Sequence, residues 1–88
     1  MDSDKLSGWL EELIKGLVPH PDSVEVVKKT DEMGVLYTVR VHDEDWGLVI
    51  GKAGSTANAI RTILHQMGRV GDVRASVKFD APERGYQD

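Results

Sequence analysis

The fold is decided by the stretch Val49-Ile50-Gly51-Lys52-Ala53-Gly54-Ser55-Thr56, which places two glycines around a lysine between two predicted helices. A helix that ends at Ile50 leaves its last carbonyl groups without partners, and Gly51 can adopt the left-handed backbone conformation that closes such an end. A second helix follows within three or four residues, with Ser55 or Thr56 as its predicted N-cap. Two helices joined by a tight turn therefore form the predicted centre of the fold.

The same turn is predicted to bind phosphate. The first N–H groups of the second helix and the positive end of its dipole point back into the turn. Lys52 adds a full positive charge, and the missing side chains of Gly51 and Gly54 let a sugar-phosphate backbone approach the main chain. The predicted ligand is therefore a nucleic-acid backbone or another phosphate.

A helix, Gly-Lys-Ala-Gly and a second helix resemble the GxxG loop of KH domains, which clamps about four nucleotides of single-stranded RNA or DNA. The resemblance extends over residues 42–54, Ala57 and residues 59–63, which are similar to the small single-KH bacterial RNA-binding proteins of the KhpA family. The chain length, the segment Val18-Pro19-His20-Pro21 and the order of the segments agree with that family as well. The likeness covers residues 3–80.

This resemblance implies a non-catalytic, single-stranded RNA-binding protein that acts as an RNA chaperone or post-transcriptional regulator. It also implies self-association or pairing with a larger KhpB-like KH protein, in RNA-linked control of cell division and cell-wall growth. Backbone amides and Lys52 are expected to hold phosphate, apolar side chains to support the groove floor, and two arginines to give further contacts. The expected RNA-binding residues are Gly51, Lys52, Ala53, Gly54, Ser55, Ile50, Val49, Arg61 and Arg40.

Three alternatives compete with this interpretation. A nucleotide-binding P-loop is excluded by spacing, because three rather than four residues separate Gly47 from Gly51 and alanine rather than Ser or Thr follows Lys52. A protein-interaction module, in which RNA binding is secondary, remains open. A cation-dependent enzyme rests only on the acidic cluster of residues 43–45, and helix N-termini collect carboxylates for dipole reasons alone.

Composition favours one soluble domain. The chain of 88 residues is 40% hydrophobic and 30% charged, which indicates a single globular domain. We expect it at residues 1–80, where the resemblance implies a KH domain, with a flexible tail at 81–88. The absence of cysteine excludes disulfides and thiolate metal sites, and no signal peptide or membrane span is evident, so a cytoplasmic location is expected. His20, His42 and His65 share no metal-ligand spacing, so neither a metal, a cofactor nor catalysis is expected.

Charge is distributed unevenly along the chain. The net charge is −4, which is the wrong sign for a protein that attracts phosphate over its whole surface. Residues 1–48 contain five Lys and Arg against eleven Asp and Glu, whereas residues 49–79 contain five basic residues against one acid. Positive charge is thus concentrated in the half of the chain that contains the loop.

Hydrophobic periodicity predicts helix, strand, strand, helix, loop, helix and strand, the order of the α+β, type II KH fold with a three-stranded sheet packed against three helices. The predicted helices are residues 4–16, a short helix through Ile50, and residues 55–67. The predicted strands are residues 23–30, 35–42 and 73–79. Ser3 is the predicted cap of the first helix and Asp43 or Asp45 that of the second, while Gly16 and Gly68 are predicted to end the first and third helices. The apolar faces that this periodicity predicts comprise Leu6, Trp9, Leu10, Leu13, Ile14 and Leu17 in the first helix, Val35, Tyr37, Val39 and Val41 in the second strand, and Val73, Ala75, Val77 and Phe79 in the third strand. Within the 55–67 helix, the predicted buried face comprises Ile60, Ile63, Leu64 and Met67. The uncharged strip Asn58, Ala59, Thr62 and Gln66 is the predicted surface for self-association.

Overall fold

The predicted order of elements is confirmed in a computed structural model, which describes residues 2–81. The elements are α1 (Ser3–Lys15), β1 (Glu25–Asp31), β2 (Gly34–Arg40), α2 (Trp46–Ile50), α3 (Ser55–Val70) and β3 (Ala75–Phe79). Short 3-10 turns precede β1, α2 and α3 at Pro21–Ser23, Asp43–Asp45 and Lys52–Gly54. Most of the tail predicted at 81–88 lies outside the described residues, so its flexibility stays a prediction.

The three strands form one mixed sheet in the order β1-β2-β3. β1 and β2 form an antiparallel hairpin in which Val26 lies opposite Val39. β3 is parallel to β2, with Val35 opposite Ala75 and Val39 opposite Phe79. This parallel pairing requires a crossover, and α2, the glycine loop and α3 supply it.

The core lies between one face of the sheet and the helices. On β2 the alternation predicted from the sequence is confirmed, because Val35, Tyr37 and Val39 are buried. α1 contributes Leu6, Leu10 and Ile14. The buried Tyr37 hydroxyl also donates a hydrogen bond of 2.8 Å to the carbonyl oxygen of Ser3, so the first turn of α1 is fixed to the middle of the sheet.

The predicted caps of two helices are wrong. Asp2, not Ser3, caps α1, because its carboxylate accepts a hydrogen bond of 2.9 Å from the Lys5 N–H. At α3 neither Ser55 nor Thr56 is the N-cap, because the helix already begins at Ser55 and Gly54 occupies the cap position without a side chain. The first N–H groups of α3 are therefore not satisfied by a capping side chain.

The predicted end and the predicted buried face of α3 also need correction. The helix continues through Gly68 to Val70, and Gly68 is buried at the point where α3 meets β3. A β-carbon at Gly68 would lie 2.6 Å from the carbonyl oxygen of Val73, so the missing side chain permits the close approach. The buried row is Ala57, Ile60, Leu64 and Gly68, whereas Ile63 is 48% exposed.

Within residues 2–81, none of the helices combines the length and the apolar character needed to cross a membrane.

Candidate nucleic-acid interface

The turn between α2 and α3 begins at Gly51, whose backbone conformation is accessible to glycine. The N–H of Gly51 donates to the Gly47 carbonyl at 2.9 Å and closes α2. Gly51 has φ 80° and ψ 173°, a positive angle as predicted but with an extended ψ rather than the left-handed helical one. A β-carbon at this position would lie 2.3 Å from Oγ1 of Thr56. Only glycine fits here without strain.

The end of the turn is left-handed. Ala53 has φ 55° and ψ 27°, and Gly54 has φ 77° and ψ 13°. The N–H of Gly54 donates to the carbonyl of Gly51 at 3.1 Å, which draws the two glycines together. Around Gly54 there is open space, since a β-carbon would meet nothing nearer than Nδ2 of Asn58 at 3.9 Å. The outer side of the turn is therefore open to a ligand backbone.

Positive charge and the N-terminus of α3 meet at this turn, where the N–H of Ser55 donates to the carbonyl of Lys52. Lys52 is exposed and forms no ion pair with any residue between 2 and 81. Ser55 is exposed at the first position of α3, where no side chain caps the helix. A helix N-terminus without a capping side chain, next to an exposed lysine, favours an anion at this turn, because the helix dipole and the ammonium group both attract negative charge.

The two apolar residues predicted for the groove floor differ in exposure. Val49 is 1% exposed and belongs to the core, so it can support the groove only from below. Ile50 is partly exposed at the end of α2 and can form part of the surface. Val49 is therefore a supporting residue, whereas Ile50 is able to contact a base.

Arg61 lies where the first half of α3 passes the end of β3. Its guanidinium carbon lies 5.4 Å from the centre of the Phe79 ring, and Nη1 donates to Oδ1 of Asn58 at 3.1 Å. Sequence reasoning missed Phe79, because its alternation within the last strand indicated only a core residue. The guanidinium is within cation–π distance of the ring, and its other N–H donors remain able to contact phosphate.

The Arg40 side chain is already paired. Its Nε donates to Oδ2 of Asp80 at 2.9 Å, and Nη1 lies 3.7 Å from Oε1 of Glu25. The hydrogen bond and charge of Asp80, with the charge of Glu25, raise the pKa of Arg40 above its usual value. Two carboxylates thus compete with RNA for this arginine, which makes it the weaker of the two arginine candidates.

A cleft at the far end of α3 was also missed. It has a volume of about 460 Å³, and its lining includes His65 and Arg69 from α3 and Arg74 from the turn before β3. Neither arginine is paired with a carboxylate within the described part of the chain. Arg61, His65 and Arg69 follow each other at intervals of four, so they share one helix face. That spacing was the available signal in the sequence.

The start of α2 is anchored by a buried carboxylate. Asp45 is 1% exposed and accepts hydrogen bonds from the backbone N–H of His20 at 3.0 Å and from its ring Nδ1 at 2.9 Å. Burial by itself raises the pKa of Asp45, but the hydrogen bonds and charge of His20 outweigh it and hold the pKa below its usual value. Asp45, one of the two caps predicted for α2, does occupy the N-cap position, but its carboxylate makes no capping hydrogen bond. It instead ties the turn before α2 to the linker before β1.

Fold and loop together define a type II KH domain: a mixed three-stranded sheet on three helices, with a glycine-bounded turn between the second and third helix. Comparison with known proteins agrees, since the family model for the KH domain of KhpA and KhpB matches residues 8–79. The chain therefore belongs to the KhpA/KhpB KH-domain family.

Similar proteins are found in several bacteria. The RNA-binding protein KhpA of Leifsonia xyli subsp. xyli is 44% identical over 75 residues, which is 85% of this chain and 99% of that protein. The RNA-binding protein KhpA of Streptomyces coelicolor is 46% identical over 59 residues, covering 67% of this chain and 75% of that protein. The RNA-binding protein KhpA of Bacillus subtilis is 35% identical over 68 residues, covering 77% and 84%. The family is one of KH-domain proteins rather than of enzymes, which confirms the prediction that this chain is not an enzyme.

Proposed function

We propose that this protein binds single-stranded RNA, with little sequence preference, by clamping the RNA backbone in the turn from Gly51 to Gly54. The observation that carries the proposal is the coincidence of an unpaired Lys52, an uncapped α3 and open space around Gly54 at one point of the surface. Names of the similar proteins from three bacterial genera point to the same ligand. Acting on RNA in this way, the protein serves as an RNA chaperone or post-transcriptional regulator.

The path of the RNA follows from the free basic side chains. From the turn, the backbone runs past Arg61 and Phe79 toward the cleft of Arg69 and Arg74. α3 is 16 residues long, or about 24 Å at 1.5 Å per residue, so an RNA must extend beyond the turn to reach that cleft. Bases rest against Ile50 and the edge of Phe79, and neither gives base-specific hydrogen bonds. Affinity for a single short RNA is expected to be weak.

Salt dependence tests both the site and the path. A tetranucleotide that meets Lys52 and Arg61 neutralises about two phosphates, which gives a slope of log K against log salt of about −1.4. An RNA of about twelve nucleotides that also reaches Arg69 and Arg74 neutralises about four, and the slope becomes about −2.8. Fluorescence anisotropy across a salt series measures both values.

A double substitution provides the control for this experiment. Arg69→Gln combined with Arg74→Gln is expected to return the slope of the long RNA to that of the tetranucleotide, without weakening the tetranucleotide itself. Equal slopes for both RNA lengths would disprove the extended path. Absence of any salt-sensitive binding would instead favour a protein-interaction module.

We also propose that the protein forms a dimer through the exposed side of α3. The outer row of α3, defined here as Ala59, Ile63, Gln66 and Val70, has the spacing of a single helix face, and all four residues are exposed. Ile63 and Val70 are 48% and 76% exposed, so the row is more apolar than the strip predicted from the sequence. Joining two RNA-binding grooves raises apparent affinity by effective concentration, which compensates for a site of about four nucleotides.

Light scattering over a concentration series tests the dimer. The wild-type mass is expected to rise above 9.7 kDa with concentration, and Ile63→Asp is expected to keep it at the monomer value, because a buried aspartate at the interface would lose its hydration. Met33→Asp on the hairpin turn is the matched control, since Met33 is equally apolar and 71% exposed. A wild-type mass that stays at 9.7 kDa would leave pairing with a larger KhpB-like protein as the remaining form of association.

A further inference from the structure

The fold brings together two histidines and a glutamate that the sequence keeps apart. His20 lies in the linker between α1 and β1, whereas His42 and Glu44 lie in the segment that leads from β2 into α2. One ligand atom from each of these three residues lies within 4.8 Å of the other two. Within residues 2–81 this is the only group of three or more histidine and acidic side chains close enough to share a metal ion.

The buried Asp45 prepares one of the histidines for metal binding. An ionised carboxylate only accepts hydrogen bonds, so the 2.9 Å contact places the proton of His20 on Nδ1. The lone pair of the neutral imidazole is then on Nε2, and this nitrogen lies 4.0 Å from Oε1 of Glu44. A carboxylate that holds the far nitrogen of a ligating histidine is the common outer-shell arrangement of zinc sites, where it fixes the tautomer and raises ligand basicity.

The remaining two ligands need small movements. The rings of His20 and His42 are stacked with centroids 4.1 Å apart and planes inclined by 16°, so their lone pairs do not yet converge. Nδ1 of His42 accepts a hydrogen bond of 3.1 Å from the Glu44 N–H. If Nε2 of His42 binds a metal, the ring proton moves to Nδ1, and this hydrogen bond is lost because Nδ1 can then no longer accept. The Glu44 side chain is 74% exposed and free to turn inward. Ligand atoms in a tetrahedral zinc complex lie about 3.3 Å apart. The separations here reach at most 4.8 Å, so shortening by up to about 1.5 Å completes the set.

We propose that His20, His42 and Glu44 form a binding site for a divalent transition metal ion of the zinc class, with Asp45 as the outer-shell partner of His20. Two imidazoles and one carboxylate suit Zn²⁺, with water in the fourth position. The ion joins the linker before β1 to the turn before α2, and so fixes the start of the helix that carries the RNA-binding loop. This site is independent of RNA and goes beyond the proposed function.

Titration of the tag-free, chelator-treated full chain with ZnCl₂ tests the proposal. Isothermal calorimetry is expected to show one ion per chain with micromolar affinity, and Co²⁺ to give the visible absorption bands of a tetrahedral site. The melting temperature is expected to rise with added Zn²⁺, because an ion that binds the folded chain shifts the folding equilibrium by mass action. The absence of saturable binding of both ions would overturn the proposal.

Two variants within the cluster test where the ion binds, and two variants outside it serve as controls. Glu44→Gln leaves the histidine pair intact at an exposed position and is expected to weaken Zn²⁺ binding by at least about tenfold, as is His42→Ala. Glu32→Gln on the hairpin turn and His65→Ala on α3 remove the same ligand types outside the cluster and are expected to leave Zn²⁺ affinity unchanged. Circular dichroism confirms that each variant is folded. Equal Zn²⁺ affinity in the wild type, Glu44→Gln and His42→Ala would place the ion elsewhere and refute the assignment.

Discussion

Replacement of Lys52 and Ala53 together by aspartate is expected to lower RNA affinity by about 100-fold or more while the protein remains folded. Contacts to charged groups contribute about 1.5–3 kcal/mol each, and here attraction to phosphate is replaced by repulsion from two carboxylates. The fold should tolerate the change, because both side chains are exposed. Ala53 has φ 55°, and aspartate is among the residues that adopt this left-handed conformation most readily.

A charge-matched variant separates the loop from general electrostatics. Lys5→Asp combined with Gly8→Asp changes the net charge by the same amount on α1, where Lys5 is exposed and a β-carbon at Gly8 would meet nothing within 4 Å. This control is expected to keep most of the RNA affinity. Anisotropy titration and thermal melting on the same samples give the comparison. Equal losses in both double variants, or none in the loop variant, would remove Lys52 and Ala53 from the site.

The two glycines of the turn are expected to respond very differently to alanine. Gly51→Ala should lower the free energy of unfolding by about 2–4 kcal/mol, because φ 80° with ψ 173° is nearly confined to glycine and a β-carbon would lie 2.3 Å from Oγ1 of Thr56. Gly54→Ala should cost only about 1–2 kcal/mol, since a left-handed alanine is strained but the space around it is open. Each kcal/mol lowers the melting temperature by about 4–8 °C in a domain of this size.

Melting curves and RNA titration distinguish the roles of the two positions. Folded Gly54→Ala is expected to bind RNA more weakly than the wild type, since its new methyl group faces the approaching backbone. Gly51→Ala is expected to show its main effect on stability, because its methyl group points into the start of α3. Similar losses of stability in the two variants would contradict the backbone geometry of the turn.

The residue pattern within each segment was sufficient to predict the secondary-structure elements and the glycine loop. Alternation on β2 and helical spacing on α1 predicted the residues found buried there, because an element's own period decides which side chains share a face. Leu17 was also predicted on the apolar stripe of α1, but it lies beyond the end of the helix and is 39% exposed. The GxxG turn was predicted for the same reason, since positive backbone angles at Gly51 and Gly54 are a local property. The sequence also indicated positive charge around the loop, because most acidic residues lie outside the half of the chain that contains it.

The face of α3 that is buried could not be predicted from the helix sequence alone, because it depends on how the helix packs against its neighbours. Helical spacing grouped Ile63 with Ile60, Leu64 and Met67 on the predicted buried face. In the structure the small residues Ala57 and Gly68 let α3 approach its neighbours closely, and a β-carbon at Gly68 would touch the backbone before β3. The buried stripe therefore runs along these small residues and Leu64, which turns Ile63 toward solvent.

The amino-acid sequence by itself determined the order of elements, the glycine turn and its positive charge, since each depends on residues within a few positions of one another. Only the tertiary structure decided which groups from distant segments meet. Asp45 and His20 are 25 residues apart in the chain, yet their contact fixes the start of α2 and leaves one imidazole nitrogen free beside Glu44. Arg61 likewise meets Phe79 only because β3 pairs with β2 in parallel and returns along α3. Such contacts depend on how whole elements pack, and no spacing within the sequence encodes that packing directly.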